Sequence, residues 1–182
     1  KNALFIRLKD VNEVDRLFLV ERHLMSPEHA KDVEYKALIV DAKEIVSIMV
    51  NEEDHLRIQV MQSGLNLREC WRVIDEIDTE LSKRIAFAYS AKWGYLTACP
   101  TNTGTGLRGS VMCHLPALVF IGQIGKILQA IAKLGLNIRG LYGEGTDAMG
   151  NVFQMSNQVS MGMSEDDIVD NIERITNQII SR

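Results

Sequence analysis

The 182-residue sequence predicts an α+β domain, an antiparallel or mixed β-sheet flanked by helices. Short runs rich in β-branched residues follow one another without an intervening helix at 35–41, 45–51 and 57–61, which indicates a hairpin and a third antiparallel strand. Longer segments carry apolar residues at helical spacing. A doubly wound sheet would need strict alternation of strands and helices, which this sequence lacks.

In the first half of the chain, two helices flank these strands. The first spans residues 11–24 and is expected to turn part of its apolar face inward, at Val14, Leu17, Phe18 and Val20. The second begins at Asn66, which we expect to form a capping box with Glu69. The inward face of the second helix comprises Cys70, Trp71, Ile74, Ile77 and Leu81.

The second half repeats the pattern of strands and helices. One helix is expected from Pro116 to Gly135, with Ile121 on its inward face. Ser164, followed by acidic residues, begins a last helix. The inward stripe of that helix is Ile168, Ile172, Ile175 and Ile179. Strands are expected at 94–98, 107–115, 136–142 and 151–157.

Composition excludes several classes of protein. Twenty basic and 24 acidic residues give a net charge of −4, whereas a general nucleic-acid-binding protein normally carries a basic face. No apolar run approaches the ~20 residues that span a bilayer, and no signal peptide opens the sequence. Cys70, Cys99 and Cys113 lack the even number and spacing of a disulfide framework, which indicates reduced thiols in a cytosolic protein.

The segment NEEDHLR, residues 51–57, places carboxylates, a histidine and an arginine close together. In an extended strand, Glu53 and Arg57 would share one face and Glu52 the other. A carboxylate beside an arginine suits a substrate with a cationic and an anionic part. A charged hairpin edge explains this cluster alone equally well, and a metal site is a further alternative.

The segment CPTNTGTGLRGS, residues 99–110, is more specific. Gly104, Gly106 and Gly109 allow a ligand to approach the backbone closely, and Arg108 supplies positive charge for a phosphate. The segment lacks the Lys-Ser/Thr ending of a Walker loop and the spacing of a dinucleotide fingerprint. A flexible hairpin turn is the alternative interpretation.

Cys99 immediately precedes Pro100 and Thr101. A hydroxyl donor and nearby cations would favour a thiolate at Cys99, and a buried structural cysteine is the alternative. Cys70, on a helix face, and Cys113, in a strand, are expected to be core residues.

The segment RGLYGEGT, residues 139–146, is a weaker signal. Its glycines predict a loop after a strand, where Arg139 would bind a phosphate and Glu144 a cation; a surface turn is the alternative. Together, the first two clusters, residues 51–57 and 99–110, offer carboxylates to a guanidinium and arginines to phosphate oxygens. They therefore predict phosphoryl transfer from ATP to an arginine side chain.

These three clusters, in this order, resemble the signatures of the ATP:guanidino phosphotransferases, the family of creatine and arginine kinases. The segment SVMCHLPAL carries Met112 where kinases of free guanidino compounds usually have His. This residue and the stretches LVERHLMSP and GEGTDAMGNVFQMSNQ resemble the bacterial protein arginine kinase branch. The resemblance covers nearly the whole chain and implies one catalytic domain over residues 1–182, with a glutamine synthetase-like antiparallel sheet surrounded by helices.

The resemblance also implies roles for individual residues. Glu53 and Glu144 match the carboxylates that hold the acceptor guanidinium, Glu53 also accepting its proton, and Cys99 matches the thiolate beside it. ATP, with Mg²⁺ held mainly by the phosphates and water, is the implied cofactor. The implied ATP-binding residues are His23, Arg57, Arg108, Gly109, Ser110, Val111, Met112, Arg139, Gly140, Leu141, Tyr142, Gly143 and Glu144.

The sequence departs from the family pattern in three respects. Leu141 stands where the third signature usually has Thr. The upstream Ser-Arg-x-Arg segment, which supplies further phosphate-binding arginines, has no counterpart here. Neither does the C-terminal domain that the family links to dimerisation and phosphoarginine recognition. We therefore expect a fragment, truncated at both ends, of a longer parent that forms a homodimer.

The implied function is phosphorylation of arginine side chains in proteins by a cytoplasmic stress-response kinase. The implied partners are a heat-shock transcriptional repressor and a Clp chaperone-protease, with no direct contact to nucleic acid or membrane. A free-arginine phosphagen kinase is the second hypothesis. The third is a non-catalytic module that binds nucleotide or phosphoarginine and regulates a protease adaptor.

Overall fold

The computed structural model describes residues 3–140 and 149–181. Within these ranges the chain forms two compact units that divide between Ala86 and Phe87. Both contain helices and strands, and every strand pair in the described ranges is antiparallel. The predicted α+β class is confirmed, although the strands form three sheets rather than one. A single catalytic domain spanning the chain stays a prediction.

The first unit contains a four-stranded sheet in the order β1-β2-β3-β4. Its strands are β1 (Ala3–Arg7), β2 (Ala37–Asp41), β3 (Val46–Val50) and β4 (Leu56–Val60). Its helices are α1 (Glu13–Glu21) and α2 (Leu67–Ser82). The predicted hairpin is confirmed as β2–β3 and the predicted third strand as β4. Strand β1 was not predicted. It is a short, largely exposed edge strand without a buried face, so its sequence lacks the alternation of apolar and polar residues that indicates a strand.

The expectation for the inward face of α1 is wrong at three of its four positions. Val14, Leu17 and Phe18 are exposed, whereas Leu19 and Val20 pack on the core. The apolar residues of α1 cover more than half of the helix circumference, so spacing alone did not select the core-facing side. The buried core of this unit comprises Leu8, Leu24, Met25, Leu38, Val40 and Met49.

The predicted capping box at the start of α2 is also wrong. The Asn66 side chain donates to Ser63 O at 2.6 Å instead of capping the helix, and Glu69 pairs with Arg72. Asn66 has φ −117° and ψ 39°, which is not the extended geometry that a capping residue needs. The predicted apolar face of α2 is half-buried, and burial raises the pKa of the Cys70 thiol.

The second unit contains a three-stranded sheet in the order β7-β9-β8 and a two-stranded sheet, β5-β6. Its strands are β5 (Tyr89–Ser90), β6 (Gly94–Tyr95), β7 (Ser110–His114), β8 (Leu136–Gly140) and β9 (Val152–Asn157). Its helices are α3 (Pro116–Phe120), α4 (Ile124–Lys133) and α5 (Glu165–Ile180). The strand predicted at 94–98 is only two residues long, whereas the others are confirmed where they are described.

The single helix predicted after Pro116 is divided into α3 and α4. Gly122, with φ +69°, interrupts the helix, and Ile121 beside it is exposed rather than inward. Glycine adopts this left-handed conformation without the steric cost of a Cβ. Gly135 ends α4 as predicted. Ser164 forms a capping box with Asp167 at the start of α5, whose predicted isoleucine stripe is buried.

His29 is fully buried in the first unit, and its Nε2–H donates to Ala37 O at 3.0 Å. Burial lowers the pKa of His29, and Lys36 and Arg57 act in the same direction, against the hydrogen bond to Ala37 and the charge of Glu52. Its Nδ1 has no hydrogen-bond partner within the described ranges, so protonation would bury an unpaired donor.

The free energy of unfolding is therefore expected to fall as the pH drops below about 6.5, where the unfolded chain protonates His29 more readily than the folded one. The slope from this group is at most about 1.4 kcal/mol per pH unit. Urea unfolding between pH 7 and pH 5 should show this dependence, and His29→Gln should remove part of it. His114→Gln, at an exposed histidine, is the control. An identical pH dependence in all three proteins would contradict the prediction.

Candidate active site

Residues 51–55 of the segment NEEDHLR form the tight connection between β3 and β4. The Asn51 N–H donates to His55 O at 2.9 Å, and Asn51 has φ +59°. Because the backbone turns here, the predicted alternation of faces is wrong. Glu52 and Arg57, expected on opposite faces, form an ion pair of 3.1 Å. Alternation applies only to extended backbone.

Glu52 is the buried carboxylate of this hairpin, with a side chain only 8% exposed. It accepts hydrogen bonds from Ser26 Oγ at 2.7 Å, Glu53 N–H at 2.7 Å and Arg57 Nη1 at 3.1 Å. Burial opposes its ionisation, but the hydrogen bonds and the charge of Arg57 outweigh burial and hold the pKa of Glu52 below its usual range. An ionised carboxylate therefore lies at the base of the hairpin.

Glu53 and Arg57 are the two predicted site residues that this hairpin brings together. Glu53 lies exposed in the turn, with its backbone N–H held by Glu52. The Arg57 side chain is 50% exposed on β4, an edge strand. The hairpin thus carries both an exposed carboxylate residue and a half-exposed guanidinium. Their roles toward the acceptor and ATP stay predictions.

His23 lies just beyond the end of α1, with φ +58°. Its N–H donates to Val20 O at 2.8 Å, so His23 has the left-handed conformation that commonly ends a helix. Gln59 of β4 donates to His23 O at 2.6 Å, and Gln59 shares a strand face with Arg57. His23 therefore ends the helix, and contact with a nucleotide stays a prediction.

Cys99 lies in a loop whose base is closed by Tyr95 and Gly104. The Tyr95 N–H donates to Gly104 O at 2.8 Å, and the reverse bond measures 3.1 Å. Cys99 Sγ is 3.0 Å from Thr101 Oγ1, and Thr97 Oγ1 donates to Cys99 O at 2.6 Å. The thiol is half-buried and has the hydroxyl neighbour that the sequence indicated. The thiolate itself stays a prediction.

The buried Ser160, which lies outside this loop in the sequence, holds the loop through side-chain hydrogen bonds. Its Oγ lies 3.1 Å from Thr101 O and 3.0 Å from Thr103 O, so one proton is shared between two carbonyls. Gly104 permits the close approach. With φ +118°, a Cβ added there would lie 2.8 Å from Ser160 O and from Met161 Cα.

Gly104→Ala is expected to destabilise the second unit by about 2 kcal/mol or more, because a left-handed backbone and a backbone clash act together. Gly106→Ala is the matched control, since Gly106 has φ +66° but nothing lies within 4 Å of an added Cβ. Backbone strain alone should cost Gly106→Ala roughly 1–2 kcal/mol. Urea unfolding of the two variants measures the difference. Equal losses would contradict a steric role for Ser160 and Met161.

The three-stranded sheet places the phosphate-binding candidates on one face. Ser110 and Met112 are two residues apart on β7, so their side chains share one face of the sheet. Met112 pairs with Gln154 of β9, which pairs in turn with Arg139 of β8, so these side chains form one row across the sheet. Gln154 Nε2 donates to Ser110 Oγ at 3.1 Å. This face therefore combines a guanidinium, an amide and a hydroxyl.

Strand β9 positions Arg108, which lies just before β7. Arg108 Nη2 donates to Ser156 Oγ at 3.3 Å, and Ser156 pairs with Ser110, so Arg108 lies on the face described above. Asn157 holds the backbone on both sides of Arg108: it accepts from Gly109 N–H at 2.9 Å and donates to Leu107 O at 3.1 Å.

The other face of the same sheet packs against α5. A Cβ added at Gly109 would lie 2.8 Å from the Ile172 side chain of that helix. Val111 pairs with Met155, and Cys113, further along β7, is buried with its pKa raised by burial. Gly109 and Val111 therefore serve the packing of the sheet, and any contact that they make with ATP runs through the backbone. Cys113 is a core residue, as expected.

Several predicted residues have a limited description. Leu141, Tyr142, Gly143 and Glu144 lie outside the described residues, and Gly140 is described only as the residue of β8 that pairs with Phe153. The first unit holds His23, Glu53 and Arg57. The second unit holds Cys99, Arg139 and the stretch 108–112.

Within residues 3–140 and 149–181, no group of three or more His, Cys, Asp or Glu side chains is arranged to hold a metal ion. The metal site considered for residues 52–57 is therefore not supported. None of the helices in the same ranges combines the length and the apolar character needed to cross a membrane.

Residues 1–182 match the family described as ATP:guanido phosphotransferase, C-terminal catalytic domain. The chain is 55% identical over 174 residues to the protein-arginine kinase of Symbiobacterium thermophilum, covering 96% of this chain and 49% of that protein. It is 52% identical over 178 residues to that of Halothermothrix orenii, covering 98% and 51%. The chain thus spans about half the length of these curated relatives. The resemblance inferred from the three clusters is confirmed.

Solved structures show the same similarity. A duplicated taurocyamine kinase from Schistosoma mansoni, with bound transition state analog components, is 29% identical, with a TM-score of 0.85 over 98% of this chain and 26% of that one. A lombricine kinase is 26% identical, with a TM-score of 0.81 over 99% of this chain and 53% of that one. The predicted guanidino kinase fold is confirmed.

Proposed function

Because the chain belongs to the ATP:guanido phosphotransferase family, we propose that it transfers the γ-phosphoryl group of ATP to arginine side chains of proteins. The observation that carries the proposal is the sheet face on which Arg108 and Arg139 lie together. A protein acceptor is supported by the identities of 55% and 52% with relatives named protein-arginine kinase.

The phosphate side of the reaction needs charge neutralisation and alignment more than covalent chemistry. Arg108 and Arg139 would grip the phosphate oxygens from one sheet face, where Ser110 adds a hydroxyl. Arg57, in the first unit, stays a predicted ligand of the phosphates. These groups suit the triphosphate of ATP. Mg²⁺, held by phosphate oxygens and water, would supply further positive charge.

The acceptor side needs a nucleophilic nitrogen. A guanidinium is protonated at neutral pH, because its pKa lies above ~12. Glu53 would accept a proton from the attacking nitrogen while an N–P bond forms and the bond between the γ-phosphorus and the bridging oxygen of ADP breaks. Glu144 would hold the other side of the guanidinium, and Cys99, with Thr101 beside it, would place a thiolate there.

Phosphoarginine on a heat-shock repressor or another protein would mark it for a Clp chaperone-protease in a cytoplasmic stress response. A homodimer of the longer parent would carry out the reaction. Pull-down of a Clp component by an arginine-phosphorylated protein, but not by its unmodified form, is the expected result.

Two alternatives remain distinct from this function. A phosphagen kinase acting on a free guanidino compound is supported by the similarity to taurocyamine and lombricine kinases. A regulatory module that binds nucleotide or phosphoarginine without turnover is the second alternative.

The test is transfer of ³²P from γ-labelled ATP to an arginine-rich protein, compared with free arginine. The assay uses this chain and a version extended along its gene in both directions. Acid-labile label on the protein acceptor is the expected result. Label on free arginine alone would favour the phosphagen kinase. ATP binding without label on either acceptor, in both versions, would favour the regulatory module.

A further inference from the structure

We propose that Glu52 is a positioning residue of this site: its buried carboxylate holds the Glu53 backbone with one oxygen and the Arg57 guanidinium with the other. The inference rests on the proposed function, in which Glu53 faces the acceptor and Arg57 faces ATP. In it, Glu52 touches neither substrate but sets the separation and orientation of Glu53 and Arg57, which do.

The two carboxylate oxygens of Glu52 have different partners. Oε2 accepts from the Glu53 N–H at 2.7 Å, whereas Oε1 accepts from Arg57 Nη1 at 3.1 Å. A rotation of this carboxylate would therefore disturb both bonds at once. The guanidinium of Arg57 has five N–H donors, so the bond to Glu52 leaves most of its donors for a phosphate.

Ser26 fixes the Glu52 carboxylate to the core of the first unit. Its Oγ donates to Glu52 Oε1 at 2.7 Å and accepts from the His29 N–H at 3.0 Å. The Ser26 N–H lies 3.4 Å from the sulfur of Met49, a fully buried core residue of β3. The rigid core is thus connected through Ser26 and Glu52 to the exposed Glu53 and Arg57.

Burial distinguishes the roles of the two adjacent carboxylates. The Glu52 side chain is nearly inaccessible and its oxygens are occupied by hydrogen-bond donors, so an acceptor guanidinium does not reach it. Glu53 is exposed in the turn. Glu52 therefore acts through its neighbours. Small misplacements of reacting groups are costly, since an error of about 1 Å can slow a reaction ~10²-fold.

The variant Glu52→Gln keeps the size of the side chain but replaces one acceptor oxygen by an NH₂ group. In either amide orientation, a donor then faces another donor, at the Glu53 N–H or at the Arg57 guanidinium. We expect kcat to fall about 10-fold or more and the KM for ATP to rise several-fold. A purely structural role would lower the melting temperature and the active fraction but leave that KM unchanged.

Further variants test whether the effect of Glu52→Gln on kcat and KM depends on Ser26 and Arg57. Ser26→Ala should give a smaller loss in the same direction, and Ser26→Thr, which keeps the hydroxyl, should restore part of it. In an Arg57→Ala background, Glu52→Gln should no longer change the KM for ATP, because coupled residues give non-additive effects. Glu44→Gln, which breaks an exposed pair with Arg22 in the same unit, is the matched control.

A second measurement does not depend on activity. Hydrogen exchange of the Glu53 amide should be slow in the wild type and at least about 10-fold faster in Glu52→Gln, because the bond to Oε2 is lost. A wild type that binds ATP without turnover would refute the proposed function, while faster exchange with weaker ATP binding would still support positioning. Unchanged exchange, or unchanged kcat and KM in an active enzyme, would overturn the inference.

Discussion

Glu53→Gln is expected to lower phosphoryl transfer by about 10²–10⁴-fold while leaving the affinity for ATP nearly unchanged. The amide keeps the size of the side chain but no longer accepts a proton from the attacking nitrogen or offers a charge to the guanidinium. The exposed position of Glu53 means that the substitution disturbs no buried contact of its side chain. Initial rates with a protein acceptor, together with ATP binding by calorimetry, measure the two effects separately.

The control for this prediction is a carboxylate on the exposed surface of α2. Glu80→Gln removes one charge from the same unit, where Glu80 pairs with Lys83 near the end of the helix. Its turnover should equal that of the wild type. If Glu53→Gln turns over as fast as Glu80→Gln, Glu53 is not the carboxylate that activates the acceptor.

Arg108→Lys is expected to raise the KM for ATP and to lower kcat by about 10²-fold, because a lysine keeps the charge but loses the planar fork that binds phosphate oxygens. It also loses the bond from Nη2 to Ser156 that orients the side chain. The backbone should stay in place, since Asn157 holds Leu107 and Gly109 independently of the arginine side chain. Steady-state kinetics over a range of ATP concentrations provide the measurement.

The matched control is Arg174→Lys, at an exposed position of α5 where the guanidinium bonds to Asn171. This variant should retain the wild-type KM and kcat. Wild-type kinetics in Arg108→Lys would show that charge alone is enough at this position and would contradict a role for the fork. Equal melting temperatures in the two variants would exclude unfolding as the cause of a loss.

Elements with strong local signals were predicted correctly. The isoleucine stripe of α5 and its start at Ser164 follow from spacing and capping within a few residues. The β2–β3 hairpin likewise follows from neighbouring runs of β-branched residues. Errors arose where tertiary context decided: α1 turned a different part of its apolar surface to the core, and Gly122 interrupted an otherwise continuous helical pattern.

The residues that the sequence analysis missed act over long separations along the chain. Ser26 reaches Glu52 across 26 positions, Asn157 reaches Gly109 across 48, and Ser160 reaches Thr103 across 57. Serines and asparagines are common in loops, and no local pattern distinguishes one that holds a distant backbone. The chemistry of the clusters was visible in the sequence, but the groups that support them were not.

The sequence by itself determined the family, the α+β class and the residue types of the site. These follow from the order and spacing of residues along the chain, which can be read without knowing the fold. Only the tertiary structure decided which carboxylate is buried. Side-chain alternation assigned Glu52 and Arg57 to opposite faces, but Asn51 reverses the backbone and brings them together. Burial and hydrogen bonding depend on such three-dimensional contacts, so the burial of Glu52 beside the exposed Glu53 arises only once the hairpin is folded against Ser26.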